Sequence, residues 1–129
     1  MYRETAFAKQ MKDKLKDNLF ITRHTIEVVK ENEQEFDFYI TKNEKRMIRF
    51  DLEYDQKVVY IENISTKITN ESSYVMDMIE RVLHAIEHLE DETLVEAITV
   101  YRFLNLYTNL NVAVKKEEME HFFKKSVKS

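Results

Sequence analysis

Two histidines one helical turn apart, with a glutamate between them, are the residues of this chain whose types and spacing come nearest to a catalytic motif. His84, Glu87 and His88 follow the order H-x-x-E-H, which offers two imidazoles to Zn²⁺ and a glutamate as general base for hydrolysis. A catalytic zinc also needs a third protein ligand and an enclosed cleft. The apolar neighbours Leu83 and Ile86 favour a simpler interpretation, in which they face a core and the motif faces solvent. The sequence therefore predicts no metal ion, and a metal-binding hydrolase that uses His84 and His88 is kept as an alternative.

Carboxylates form the second candidate group, because 16 of the 24 acidic residues lie between positions 31 and 95 of a chain with net charge −4. Four of them fall on or near neighbouring predicted strands: Asp37, Asp51, Glu53 and Glu62. Asp55 lies beside three of them, and a buried pair among Asp51, Glu53, Asp55 and Glu62 could do acid–base catalysis if burial raised one pKa. An exposed set would form a solvated face crossed by weak ion pairs. A face of one charge sign could also dock on a basic surface of another protein. We predict that these four carboxylates bind a partner protein, and we predict no catalytic residue.

The composition excludes several functional classes, because the chain contains no glycine, no proline and no cysteine. Phosphate-binding loops need glycine so that backbone amides can approach the anion. Without cysteine there is no disulfide, no thiolate zinc site and no thiol nucleophile. The charged centre of the chain is acidic, whereas nucleic-acid binding requires a clustered basic face. We therefore predict no cofactor and disfavour direct binding of nucleic acid.

Length predicts one domain over residues 1–129, since a chain of this size encloses a single core. No apolar run approaches the roughly 18 residues of a membrane-spanning helix, and the first residues lack the apolar stretch of a secretory leader. We expect no membrane segment and a cytoplasmic location. A small chain rich in lysine and asparagine also fits a bacterial, phage or mobile-element origin.

The hydrophobic period divides the chain into elements that would position these residues. Apolar residues at helical spacing predict an amphipathic first helix over 3–18. Between positions 20 and 64 the period changes to two, which predicts four antiparallel strands with turns near 31–34, 43–44 and 55–56. In the third strand Phe50, Leu52 and Tyr54 would face the helices, while Arg49, Asp51 and Glu53 would face solvent. The acidic residues of interest therefore belong to the wet face of a β-meander.

After Thr66 the helical period returns. A helix capped by Ser72 or Ser73 would bury an apolar stripe, and a second helix is predicted over 94–110, although 94–100 could instead be a fifth strand. A last short helix is predicted over 116–125. The predicted fold class is α+β, with an N-terminal helix, a four-stranded antiparallel meander, and two to three C-terminal helices packed on one sheet face.

Three segments, FDLEY at 50–54, VVYIENI at 58–64 and LYTNLNV at 106–112, resemble the GNAT acetyltransferase superfamily when residues 35–114 are read in order. The resemblance implies that family's scaffold, and by the third segment it implies Tyr107 as the general acid. The family's loop R/Q-x-x-G-x-G/A, which cradles the pyrophosphate of acetyl-CoA, would fall between Ile64 and Tyr74, where this chain has neither glycine nor arginine. The resemblance therefore implies the scaffold more than the activity, with a GNAT-like enzyme or an inactive relative as an alternative.

The function predicted from the sequence is a small non-enzymatic intracellular protein that binds another protein through its acidic sheet face or through an edge strand. Such a module would act as an inhibitor, an adaptor or a regulator. A homo-oligomer is left open by the sequence.

Overall fold

The computed structural model describes residues 4–68, 70–104 and 109–111, and over these the chain folds as α+β. Two α-helices and seven strands follow in chain order, with a 3₁₀ turn at Asp91–Thr93: α1 (Ala6–Leu19), β1 (Thr25–Glu31), β2 (Glu35–Lys42), β3 (Lys45–Asp55), β4 (Val58–Thr66), α2 (Ser72–Glu87), β5 (Ala97–Val100), β6 (Arg102–Leu104) and β7 (Asn109–Asn111). Neither helix in this part of the chain has the length and apolar character needed to cross a bilayer.

The first helix confirms the prediction from the 3.6-residue period. Thr5 caps it, because its side-chain oxygen accepts a hydrogen bond of 3.1 Å from the backbone N–H of Ala8. One stripe of the helix is buried: Phe7, Ala8, Met11, Leu15 and Leu19. The opposite surface carries the lysines, so α1 lies on the sheet with one face in water.

Strands β1 to β4 form the predicted antiparallel meander. Two of its turns are two-residue hairpin loops that adopt positive φ without glycine, at 51° and 66° for Asn43 and Glu44 and at 48° and 65° for Gln56 and Lys57. Positive φ at both central residues matches the right-handed twist of the flanking strands. The chain therefore builds tight hairpins from residues that enter the left-handed region at a cost.

The inner face of the sheet carries the core, as the alternation in β3 predicted. Phe50 and Leu52 are buried, and Tyr54 stacks on Phe7 of α1 with ring centroids 4.6 Å apart. Phe38 and Phe50 on adjacent strands also stack, at 5.3 Å. Residues of both helices belong to the same core cluster, so both helices cover this one face. The opposite face, which we call the outer face, carries Arg49, Asp51 and Glu53 as predicted.

Helix α2 is confirmed with its apolar stripe, but its cap is not a serine. Glu71 is the N-cap residue and makes no side-chain capping hydrogen bond, while Ser72 is already helical. The buried residues of the helix recur at the predicted helical spacing and include Val75, Ile79, Val82, Leu83 and Ile86.

The predicted second C-terminal helix over 94–110 is wrong. Residues 97–100 form β5 and residues 102–104 form β6, both parallel to β4, while 109–111 form β7, antiparallel to β6. The strand alternative for 94–100 was the correct one, because Ile98 and Val100 alternate with Ala97 and Thr99 between the buried and half-buried sides. The sheet is therefore mixed, and α2 is the one long helix after the meander in the described ranges. The helix predicted over 116–125 lies outside them.

A β-bulge at Glu62 interrupts the centre of the sheet. Asp51 pairs with Asn63 and Leu52 pairs with Ile61, so Glu62 is an extra residue in β4. On the other side of β4 the pairing breaks at the same level, between Val100 and Phe103. A bulge redirects a side chain and sharpens the local twist. Here Glu62 and Asn63 both face outward.

Candidate functional site

The outer face of the sheet is the largest polar surface that the fold organises, and neither α1 nor α2 covers it. The strand register arranges its residues in rows across β2 and β3. Asp37 lies opposite Asp51, and Glu35 lies opposite Glu53. Acidic residues that are far apart in the sequence therefore become neighbours, because antiparallel pairing places facing side chains about 5 Å apart.

The bulge adds one more carboxylate to these rows. Glu62 lies beside Glu53, and the hollow between the strands has a volume of about 300 Å³. We call the five carboxylates of this hollow the acidic patch: Glu35, Asp37, Asp51, Glu53 and Glu62. All four predicted binding residues belong to it. Glu35 is the fifth member and is not one of the four predicted binding residues, although the alternation in β2 places it on the same face.

Like charges in the acidic patch raise the pKa of two of its members. A hydrogen bond shared with the carboxyl of Glu53 raises the pKa of Glu62 to about 7, with burial and the charges of Glu53, Glu35 and Asp37 acting in the same direction. Burial, followed by the charge of Asp51, raises the pKa of Asp37. Two carboxyls can share a hydrogen bond only if one holds a proton, so Glu62 keeps its proton to a higher pH than an isolated glutamate does.

Cations neutralise one part of the acidic patch and leave another part uncompensated. Arg49 Nε donates to Asp51 at 2.7 Å and its Nη2 lies 3.9 Å from Asp37, while Lys30 pairs with Glu35. Hydrogen bonds to Tyr39 and Asp51 raise the pKa of Arg49 further. Within the ranges that the structure describes, Glu53 and Glu62 have no cation within ion-pair distance.

An unpaired acceptor lies in the same place. The side-chain oxygen Oδ1 of Asn63 is buried and receives no hydrogen bond, and Asn63 pairs with Asp51 across the bulge. A buried acceptor without a donor costs about 1–3 kcal/mol. This part of the outer face therefore holds an excess of acceptors over donors.

The other end of the outer face carries positively charged side chains. A hollow of about 420 Å³ is lined by Tyr39, Arg46, Met47, Arg49, Ser65, Thr66, Lys67 and Leu104. The guanidinium of Arg46 lies 4.5 Å from the ring centroid of Tyr39, a cation–π distance, and also forms two hydrogen bonds with Glu27. The sequence analysis did not find this cationic end, because its residues come from four strands, β2, β3, β4 and β6, and the pairing of β6 with β4 was not predicted.

The candidate zinc motif lies on the solvent side of α2, as its apolar neighbours predicted. His84, Glu87 and His88 are all exposed. The two imidazole rings stack at 3.9 Å, and Nδ1 of His88 donates to the backbone oxygen of His84 at 2.8 Å. In the described part of the chain no group of three or more metal-ligating residues comes together. The hydrolase alternative stays a prediction that rests on two histidines.

The structure shows the two elements that flank the segment where the GNAT resemblance would place an acetyl-CoA loop. β4 ends at Thr66, and Glu71 is the N-cap residue of α2. A carboxylate there opposes an anion at the positive end of the helix. Tyr107, the implied general acid, lies outside the described residues.

Comparison with known proteins gives no family. No protein-family model matches the sequence, and no curated protein and no solved structure is similar to it. The GNAT resemblance therefore stays a prediction, and function has to be argued from the site.

Proposed function

We propose that this chain is a non-enzymatic protein-binding module whose acidic patch holds a cationic segment of a partner protein. The observation that carries the proposal is the bulge in β4, which places Glu62 beside Glu53 where no described cation neutralises either carboxylate. Bulges of this kind are retained near functional sites because they direct a side chain at a local cost. The role is that of an inhibitor, an adaptor or a regulator.

Electrostatic repulsion within the patch supports a cationic ligand. The raised pKa of Glu62 means that ionising the Glu53–Glu62 pair is unfavourable in the folded protein. A guanidinium or ammonium group placed between the two carboxylates removes that penalty and adds charge-assisted hydrogen bonds.

The spacing of the acidic rows supports a peptide segment. The row of Asp37 and Asp51 and the row of Glu35 and Glu53 are two residues apart along the strands, which corresponds to roughly 7 Å. Alternate side chains of an extended peptide have the same spacing. Arginine or lysine at every second position of a partner segment would therefore meet successive rows.

The test is a comparison of affinity captures from lysate of the source cells. The wild-type chain should retain a partner that Glu53→Lys loses, because the substitution reverses a charge at the centre of the patch. Glu80→Lys is the matched control, since Glu80 is exposed on α2 and lies away from the outer face. Retention should fall at high salt, because exposed charge pairs are screened.

The captured partner is then purified and titrated against the three proteins. We expect Glu53→Lys to weaken its Kd about tenfold or more and Glu80→Lys to leave it unchanged, while amides of β2 to β4 shift in the NMR spectrum of the complex. A partner held equally by wild type and Glu53→Lys, or the absence of any partner, contradicts the proposal.

A further inference from the structure

A second hollow adjoins the acidic patch on the outer face, on the side toward β5. Its volume is about 420 Å³, and five residues line it: Glu53, Asp55, Tyr60, Glu62 and Tyr101. Glu53 and Glu62 also line the hollow of the acidic patch, so this carboxylate pair lies between the two. We call the second one the tyrosine hollow, because its two aromatic rings distinguish it from the acidic patch.

The strand register explains why these side chains meet. Glu53 of β3 lies opposite Tyr60 of β4, and Asp55 follows Glu53 by two residues, which returns it to the same face. Tyr60 in turn lies opposite Thr99 of β5, and Tyr101 comes two residues after Thr99. The backbone N–H of Tyr101 donates at 2.9 Å to a carbonyl oxygen of β4, which holds Tyr101 beside that strand. Three strands therefore build one hollow.

The two tyrosine rings form the aromatic side of the tyrosine hollow. Their centroids are 5.9 Å apart and their planes differ by 16°, which is a stacked arrangement. Tyr101 is 43% exposed and Tyr60 is half-buried, so the pair is accessible from solvent. The face of an aromatic ring attracts a cation. Stacked rings at the surface of a sheet therefore offer a cation more than a carboxylate alone would.

The carboxylate side of the tyrosine hollow has no counter-charge. Glu53, Asp55 and Glu62 lie beyond ion-pair distance of every cation among the residues that the structure describes. Lys57, which is near them in the sequence, pairs instead with Glu96 at 3.8 Å. The tyrosine hollow therefore combines an uncompensated negative charge with an aromatic surface.

The guanidinium group of arginine can use both surfaces at once. It is planar, so one of its faces can stack on a tyrosine ring while its N–H groups donate to carboxylates in a fixed fork. The ammonium of lysine is compact and strongly hydrated, and it has no plane that could stack. A trimethylated ammonium contacts aromatic rings well but has no N–H to donate, so it would leave the carboxylates without hydrogen bonds.

We infer that the tyrosine hollow binds an arginine side chain of a partner protein, with its guanidinium stacked on the tyrosine pair and hydrogen-bonded to the carboxylates of the hollow. The inference rests on the proposed function, since this arginine belongs to the cationic segment that the acidic patch holds. Asp51, Glu53 and Asp55 are each two residues apart along β3. An extended segment that meets the acidic rows therefore reaches the tyrosine hollow with its next alternate side chain.

The probes are three synthetic nine-residue peptides in which threonine alternates with arginine, with lysine or with trimethyllysine. Each is titrated into the full ¹⁵N-labelled chain. We expect the arginine peptide to bind about fivefold or more tighter than the other two, with amide shifts at Tyr60 and Tyr101. Its methylene protons next to the guanidinium should shift upfield, because they would lie over the tyrosine rings.

Two substitutions at one position test the role of the ring. Tyr101→Leu should bring the arginine peptide to the affinity of the lysine peptide, because the stacking surface is lost. Tyr101→Phe keeps the ring and should keep the preference for arginine. Thermal unfolding of both variants checks that the fold is retained, and the upfield shift in the wild-type complex tests the stacking without any substitution.

The outcomes separate this inference from the proposed function. Equal binding of the arginine and lysine peptides, tighter binding of the trimethyllysine peptide, or a preference for arginine that Tyr101→Leu retains would each overturn the inference alone, provided that Glu53→Lys still weakens the peptides. Peptides that bind Glu53→Lys as tightly as wild type would contradict the inference and the proposed function together. Lack of binding by all three peptides would overturn the inference, and capture of the partner would then decide the proposed function.

Discussion

Glu62 shows how a single inserted residue can change the chemistry of a surface. The bulge brings its carboxyl to Glu53 and raises its pKa to about 7 from an ordinary value of 4.5. The folded protein therefore holds a proton that the unfolded chain releases between these two values. Stability from this group is fully present below pH about 4.5 and is lost as pH rises through about 7.

Replacing Glu62 by glutamine should remove this pH dependence. At pH 8 we expect Glu62→Gln to increase the free energy of unfolding by roughly 0.5–1 kcal/mol, a value reduced for solvent screening because the side chain is exposed. At pH 4.5 the variant and the wild type should be nearly equal. Urea unfolding across this pH range measures the difference. Glu80→Gln should follow the wild type throughout, and a constant offset at every pH would mean that repulsion is not the cause.

The hairpin turns show what the lack of glycine means for individual elements. Glu44 and Lys57 both occupy the second position of a two-residue turn with positive φ, at 66° and 65°. A side chain with a Cβ is disfavoured in that region by about 1–2 kcal/mol, whereas glycine enters it freely. These residues keep positive φ because the pairing of the flanking strands fixes the conformation of the turn.

Glycine should therefore stabilise the protein at these positions. We expect Glu44→Gly and Lys57→Gly each to increase the free energy of unfolding by about 0.5–1 kcal/mol, which corresponds to roughly 2–4 °C in Tm. Thermal unfolding followed by circular dichroism measures the shift. Glu33→Gly is the control, because Glu33 lies in the β1–β2 turn without positive φ and should lower Tm. A fall in Tm for all three variants would show that the turns carry no strain.

Local pattern predicted most elements and missed those that depend on distant partners. The alternation of Ile48, Phe50 and Leu52 identifies β3 and its buried face, because a period of two has no helical alternative. The apolar residues of 94–110 fit both the helical period of 3.6 and the strand period of two. Pairing with the edge of β4 favours the strands, and β4 lies too far away in the sequence for a local pattern to include it. The acidic patch was predictable from β2 and β3. The bulge at Glu62 was not, since the register of strand pairing is a property of the whole sheet.

At the scale of the whole molecule, the sheet has a buried face that carries the core and an exposed face that carries the acidic patch. Phe38 and Tyr39 are neighbours in β2 but face opposite ways, Phe38 into the core and Tyr39 toward Arg46 and Arg49. Substitutions on the inner face should act on folding, whereas substitutions on the outer face should act on binding.

This pair of neighbours tests the separation directly. We expect Phe38→Ala to reduce the free energy of unfolding by about 3–5 kcal/mol, because it removes a fully buried ring that stacks on Phe50. Tyr39→Ala should cost only about 1–2 kcal/mol, since it removes a half-buried ring whose cation–π contacts are with Arg46 and Arg49. Urea titrations of the two variants give both values. Similar losses would contradict a single core on the inner face.

The parallel pairing of β4 with β5 and β6 also determines the order in which the protein can fold. Neighbouring strands of the meander are joined by short turns, so we expect their contacts to form early. Val58 of β4 pairs with Ala97 of β5, which follows α2 in the chain, so we expect this contact to form later. Until then β4 is an open apolar edge through which the nascent chain can associate with other molecules. During synthesis we expect that interval to last until the segment that ends at Leu104 has left the ribosome, so the time taken to translate residues 67–104 should set how long this edge of the sheet stays open.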